Sequence, residues 1–260
     1  MLISMNKVHR YRRGKHILNG IDWNIKKGDK WVLYGLNGAG KTTLLNILNA
    51  YDSITSGNIV LFGMTPGMVG YSADNVRQHI GFISNKLTNQ FQDGEHVIGV
   101  VLSGYFKSIG LYKTFNHQQL IEAQKLLKLV GMAEFENEYL GYLSTGQQQR
   151  GMIARALISN PELLILDEPA SGLDFLARET LLEVLETLSH ERPEITIIYV
   201  THFIEEIIPI FDKIFILSKG VNFAQGNIDD VLTSKTMSSL FNRNVEVMNY
   251  KNRFSLHLIG

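Results

Sequence analysis

Apolar residues Ile21, Trp23 and Ile25 alternate with Asp22 and Asn24, the period of a strand with one buried face. Gly14 and the Lys27-Gly28-Asp29 stretch punctuate the flanks as turns, so residues 1–34 read as β-structure. Short apolar runs at 31–34, 59–62 and 80–83 predict further strands. From about 95 to 160 the period lengthens: Leu120, Ala123, Leu126, Leu127 and Val130 recur at the spacing of one helical face. Runs at 163–166, 196–200 and 214–217 follow, separated by helical stretches, a rhythm that predicts a mainly parallel sheet covered by helices. Residues 220–225 read as the return of a hairpin, 228–242 as a terminal helix, and 245–258 as a strand pair turning at 249–252. The pattern shows no internal repeat, low-complexity tract or long linker. The expected fold is α/β: one domain over 1–260, with an N-terminal antiparallel β region, a helical block inserted at about 86–160 and a helix-and-strand extension at 228–260.

Composition narrows the class. The 260 residues are 45% hydrophobic and 19% charged, enough to bury a full core. Lys+Arg and Asp+Glu both total 25, so no global field draws the chain to nucleic acid or an anionic membrane. The absence of cysteine excludes a disulfide scaffold, a thiolate metal site and a cysteine nucleophile. The first residues lack the apolar core of a signal peptide. The segment 97–112 is the nearest approach to a membrane span, but it carries Ser103, Gly104, Lys107, Ser108 and Gly110 and falls short of the roughly 20 apolar residues a spanning helix needs. It reads as a surface for a partner or as packing within the helical block.

Residues 35–42, Gly-Leu-Asn-Gly-Ala-Gly-Lys-Thr, fit the phosphate-loop pattern G-x-x-x-x-G-K-[ST] without a mismatch. The run at 31–34 supplies the strand entering the loop, and residues 43–48 supply the helix leaving it, so a P-loop NTPase core is expected. Glycines let backbone N–H groups turn inward on a polyphosphate, and the helix N-terminus adds positive partial charge. The predicted nucleotide contacts are Gly35, Asn37, Gly38, Ala39, Gly40, Lys41, Thr42 and Thr43. Lys41 would reach the β- and γ-phosphates, and the Thr42 hydroxyl would bind Mg²⁺.

A second group of residues names a reaction. The run at 163–166 ends in Asp167-Glu168-Pro169, a strand with two carboxylates at its carboxyl end, where open α/β sheets bind ligands. Asp167 is placed to hold Mg²⁺, and Glu168 to orient and deprotonate an attacking water. Before it stands Leu143-Ser144-Thr145-Gly146-Gln147, with Ser144 a good N-cap for a helix whose buried face is Met152, Ile153, Ala156 and Leu157.

With these residues the sequence resembles the ATP-binding-cassette (ABC) ATPases. Leu143–Gln147 is similar to their signature, usually Leu-Ser-Gly-Gly-Gln, with Thr145 replacing the first glycine. The phosphate loop, the Asp167-Glu168 strand end, Ser171-Gly172-Leu173-Asp174 and His202 fall in the family's order over about residues 2–230. The resemblance implies Mg²⁺-dependent ATP hydrolysis by a head-to-tail dimer, expected to be a homodimer. In it Ser144, Gly146 and Gln147 of one copy complete the nucleotide site of the other, His202 contacts the γ-phosphate, and Asp174 lies on a loop crossing the interface. It also implies separate transmembrane permease subunits and a place on the cytoplasmic face of a membrane. The alternative within the family is a soluble switch ATPase acting on nucleic acid or a cofactor-assembly complex. Tyr11 occupies the place where the family often stacks an aromatic on adenine; a strand-edge tyrosine is the other reading. Asn85 stands where the family usually has a glutamine that touches Mg²⁺, one methylene shorter.

Overall fold

The computed structural model describes residues 1–259. In chain order its elements begin β1 (Ile3–Arg12), β2 (Lys15–Ile25), β3 (Lys30–Tyr34), α1 (Lys41–Leu48), β4 (Ser56–Leu61), α2 (Ala73–Gln78), β5 (Ile80–Ser84), α3 (Asn85–Thr88) and α4 (Val97–Ser103). They continue with α5 (His117–Leu129), α6 (Thr145–Leu157), β6 (Leu163–Asp167), α7 (Phe175–Glu191), β7 (Thr196–Thr201), β8 (Lys213–Ser218), β9 (Val221–Asn227), α8 (Ile228–Val231), α9 (Ser234–Phe241), β10 (Val245–Tyr250) and β11 (Arg253–Leu258). The chain divides into two compact units, one formed by Met1–His79 with the residues from Thr196 onward, the other by Ile80–Ile195.

In the first unit β3 lies between β7 and β8 and runs parallel to both, while β9 returns antiparallel on β8. All five residues of β3 and all six of β7 are buried, as expected for strands covered on both faces. A second, antiparallel sheet has the order β2-β1-β4. Its inward residues alternate, Ile3 and Met5 on β1 against Ile21, Trp23 and Ile25 on β2. The alternation slips between Met5 and Val8, where the register shifts and Lys7 takes φ 46°. Trp23 joins the core of this unit, its ring 4.7 Å from Phe215 and edge-on to Trp31 at 5.5 Å.

In the second unit β5 and β6 pair in parallel. Helix α6 packs on β5 and against α4, α5 and α7. Its Gly146 and Gly151 and its apolar Met152, Ile153, Ala154 and Ala156 are buried.

Two expectations meet a different outcome, and one open alternative is decided. The helical stretch of 95–160 is interrupted after the 3₁₀ turn Gly104–Phe106: Gly110 takes φ 82° and its carbonyl accepts from the Ser108 hydroxyl. The terminal helix of 228–242 breaks in two at Leu232. Thr233 caps α9 by accepting from the Thr236 amide, and a threonine oxygen that competes for a backbone donor starts a new helix more readily than it continues an old one. The apolar face of 97–112 is used internally, with Val97, Val100, Val101 and Leu102 buried as α4 packs on α5 and α6. The strand pair at the end is present, and its turn falls at Lys251 and Asn252 with φ 49° and 61°, both left-handed as a two-residue hairpin turn requires.

Asp29, just before β3, ties the parallel strands of the first unit together. Its carboxylate accepts from Lys213 Nζ at 2.5 Å, from the Lys26 amide at 2.8 Å and from Trp31 Nε1 at 3.2 Å. Burial works to raise its pKa, but these donors and the Lys213 charge outweigh burial and hold it below its usual 3.8. A depressed folded-state pKa adds stability above the unfolded value and loses it as pH falls through the folded one. Asp29→Asn is therefore expected to lower unfolding free energy at pH 7 by about 1–2 kcal/mol. The deficit should shrink at pH 3, which urea titrations at the two pH values read directly.

Candidate functional site

The first unit carries the phosphate loop, between β3 and α1. Gly40 sits at the N-cap of α1 with φ 111° and no side-chain cap, so the first amides of the helix have no side-chain acceptor of their own. Such an end is an anion site. The loop can be built only from glycine at two points. A Cβ on Gly35 would lie 2.6 Å from the Leu217 carbonyl oxygen, and one on Gly40 would lie 3.1 Å from both the Ile17 carbonyl oxygen and the Leu18 side chain. Gly38, at φ 80°, faces open space. The loop is pinned from β8 and β9 by the Gly220 amide, which donates to Ala39 O at 2.9 Å. Lys41 is buried, and its Nζ donates to the Gly35 carbonyl at 2.6 Å, so its charge is held inside the cradle. Asn37 and Thr42 are exposed and Thr43 half-buried. The residues present fit a polyphosphate: backbone donors, a cradle a Cβ would fill, and one cation.

Tyr11 and His202 also belong to the first unit. Tyr11 lies at the tip of the β1–β2 hairpin, 45% exposed and edge-on to His16 at 4.9 Å. His202 follows β7 directly, its ring 4.1 Å from that of Phe203.

The second unit holds the carboxylates and the signature. Asp167 ends β6, and Glu168 takes φ 50° immediately before Pro169. A residue before proline is ordinarily extended, and a left-handed non-glycine costs on the order of 1–3 kcal/mol, strain that collects at functional sites. The Ser171 amide donates to Glu168 O at 3.1 Å and closes the turn that carries it. The Thr42 hydroxyl in the first unit and the Asp167 carboxylate in the second are each an oxygen donor of the kind Mg²⁺ accepts. Among the described residues no cluster of three or more His, Asp or Glu side chains would hold a metal unaided.

Ser144 caps α6 as its sequence predicts, in a reciprocal box: the Gln147 amide donates to Ser144 Oγ at 3.3 Å and the Ser144 amide to Gln147 Oε1 at 2.8 Å. Asp174 caps α7 with a single bond, accepting from the Ala177 amide at 2.8 Å. Gly146 allows the two helices to meet, since a Cβ there would stand 3.0 Å from that of Ala177. Both N-termini line one surface depression of about 480 Å³, together with Arg150 and the exposed Phe175 and Leu176. Burial lowers the Arg150 pKa, opposed by the Glu134 charge; its guanidinium donates to the Val130 and Gly131 carbonyls at the end of α5.

Asn85 has a partner that sequence reasoning missed. Its Oδ1 accepts from Gln149 Nε2 at 2.5 Å, and Gln149 is 1% exposed. The signal was present: Gln149 precedes Met152, Ile153 and Ala156 by three, four and seven positions, so it is a polar residue on the buried face of α6. Reaching a metal would cost Asn85 this bond.

A glycine-built cradle before a helix, a strand ending in two carboxylates and paired helix N-termini define a P-loop nucleotide-binding protein. Residues 18–171 match the family model described as ABC transporter. The chain is 40% identical over 248 residues to an uncharacterized ABC transporter ATP-binding protein, YlmA, of Bacillus subtilis (strain 168), covering 95% of this chain and 94% of that protein. It is 36% identical over 224 residues to the zinc uptake system ATP-binding protein ZurA of Listeria innocua, covering 85% and 84%. Among solved structures it resembles the ATP-binding cassette MJ0796 in a dimeric post-hydrolysis state bound to ADP and Pi, at 27% identity and TM-score 0.72 over 87% of this chain and 98% of that one. The chain belongs to the ABC transporter family, as an ATP-binding protein of its ATPase class, with the α/β fold of those cassettes.

Asn85→Ala is expected to leave the Gln149 amide buried with no acceptor and to destabilise by about 1–3 kcal/mol. The exchange Asn85→Gln with Gln149→Asn, which keeps the summed side-chain length, should recover part of the loss in urea denaturation.

Proposed function

We propose that this chain hydrolyses ATP with Mg²⁺ as one half of a head-to-tail pair of its own copies, and drives transport through permease subunits on other chains at the cytoplasmic face of a membrane. The observation that carries the pairing is the depression on the second unit. It presents two helix N-termini and two exposed apolar side chains, and every residue lining it belongs to that unit, none to the phosphate loop. A surface of that kind suits a phosphate group delivered by another molecule. The dimeric, ADP- and phosphate-bound state of the related cassette supports it. No helix among the described residues is long and apolar enough to cross a membrane, and the relatives are named as transporter ATP-binding proteins, which favours separate permeases over a free switch ATPase.

In this reading the backbone amides of the loop and the N-terminus of α1 hold the phosphates, and Lys41 turns its Nζ from the Gly35 carbonyl toward them. Thr42 and Asp167 would be the protein oxygens offered to Mg²⁺, which would supply positive charge against the negative charge of the phosphates. Glu168, held in a left-handed backbone immediately after β6, accepts the proton of the attacking water. His202 braces the γ-phosphate, and Tyr11 stacks on the adenine. Ser144, Gly146 and Gln147 of the second copy close the site. Asn85, engaged with Gln149, contributes less at the metal than a glutamine would.

Glu168→Gln should bind ATP and lose turnover, because the amide keeps the shape but cannot take the proton; steady-state hydrolysis at the wild-type rate would refute the role. Asn85→Ala should lower hydrolysis far less than Glu168→Gln does. Lys41→Ala and Ser144→Arg should each be inactive alone. Mixed, they should regain up to about a quarter of wild-type activity, since half of random dimers then carry one intact site of two, less if the sites are coupled. No rescue, with Glu168→Gln monomeric at saturating ATP, would remove self-pairing. Purification from detergent-solubilised membranes should bring polytopic proteins down with the chain.

A further inference from the structure

The turn that follows His202 is held from two sides. On the inner side stands Glu206, 3% exposed, whose Oε2 accepts from Thr201 Oγ1 at 2.6 Å and from the Tyr199 hydroxyl at 3.0 Å. Thr201 and Tyr199 are the end of β7 and are themselves buried. The Thr201 oxygen also accepts from the Phe203 amide at 2.9 Å, so the backbone on both sides of His202 is tied to one buried hydroxyl. Two hydroxyls converging on one carboxyl oxygen in a protected setting form a satisfied buried network, the kind that fixes geometry.

On the outer side stands the C-terminal hairpin. Its strand β11 packs against the 3₁₀ turn Ile204–Glu206, and Arg253, the first residue of β11, donates from Nη2 to the Glu205 carbonyl at 2.8 Å. This hairpin lies beyond the residues matched by the family model. The Glu205 charge in turn acts on Tyr34, the residue before Gly35: burial first, then that charge, pushes the Tyr34 pKa up to about 12. The same short turn therefore lies between His202 and the C-terminal hairpin.

We propose that Arg253 is a positioning residue for His202. By holding the Glu205 carbonyl it fixes the outer side of a turn whose inner side Glu206 fixes, and the C-terminal hairpin thereby sets the backbone from which the His202 imidazole projects. This rests on the ATPase reading for its effect on rate, and on the hairpin contact alone for its effect on the turn.

The test uses the full chain with Arg253→Met and Arg253→Lys, alone and combined with His202→Ala. Arg253→Met should lower kcat by about three- to tenfold while leaving KM for ATP within about twofold, as expected when a reacting group is displaced by a fraction of an ångström and binding is untouched. Arg253→Lys, which keeps a charged donor, should recover at least about half of the loss. In the His202→Ala background Arg253→Met should change the residual rate no further, because the residue it positions is gone. An equal fold-loss in both backgrounds, or a wild-type kcat in Arg253→Met, overturns the proposal. Amide hydrogen exchange across residues 202–207 provides the readout that does not need turnover. Exchange should be faster in Arg253→Met than in wild type, with melting temperature little changed. If the wild-type chain hydrolyses no ATP but exchange responds as stated, the ATPase reading fails and the hairpin's hold on the turn stands. Unchanged exchange removes that hold.

Discussion

A helix that begins on glycine leaves its first amide protons without a side-chain acceptor, and the first unit is arranged around that deficit. Gly40 at the N-cap of α1 is the only kind of residue that fits, because its φ is 111° and the Ile17 carbonyl and Leu18 side chain stand where a Cβ would go. Gly35 is confined in the same way by the Leu217 carbonyl. The buried strands β3, β7 and β8 and the Gly220 amide hold that close approach in place. The packing is thus what confines both positions of the loop to glycine.

The second unit treats its helix ends in the opposite way. Ser144 and Gln147 satisfy each other's backbone, and Asp174 satisfies the start of α7. These ends are stable on their own account yet still carry the positive pole of a helix, and they come together because Gly146 has no side chain to separate α6 from α7. One end is therefore left without a side-chain acceptor, and the others are closed by their own caps. That asymmetry accords with a protein in which one surface grips a nucleotide and another meets it.

Strain and burial mark the residues assigned to the reaction in the proposed mechanism more clearly than charge does. Glu168 is left-handed before a proline, and the turn after His202 is threaded through a carboxylate buried to 3% exposure. Both residues immediately follow buried parallel strands. A strand buried on both faces gives the next residue a rigid origin, and the local turn then decides its direction.

The sequence by itself determined what depends on neighbours in the chain. The phosphate loop, the N-cap at Ser144, the alternation of β2 and the acidic end of β6 are all legible because each is a pattern within a few residues. Tertiary structure decided what depends on residues far apart. Asn85 meets Gln149, and Arg253 meets the Glu205 carbonyl, across sequence separations of 64 and 48. The burial of the α4 valines against α5 and α6 is another such outcome, and the break at Leu232 came with the choice of Thr233 as a cap. Periodicity says which face of an element turns inward, but the twist and register of the strands beneath it determine which side chain it finds there.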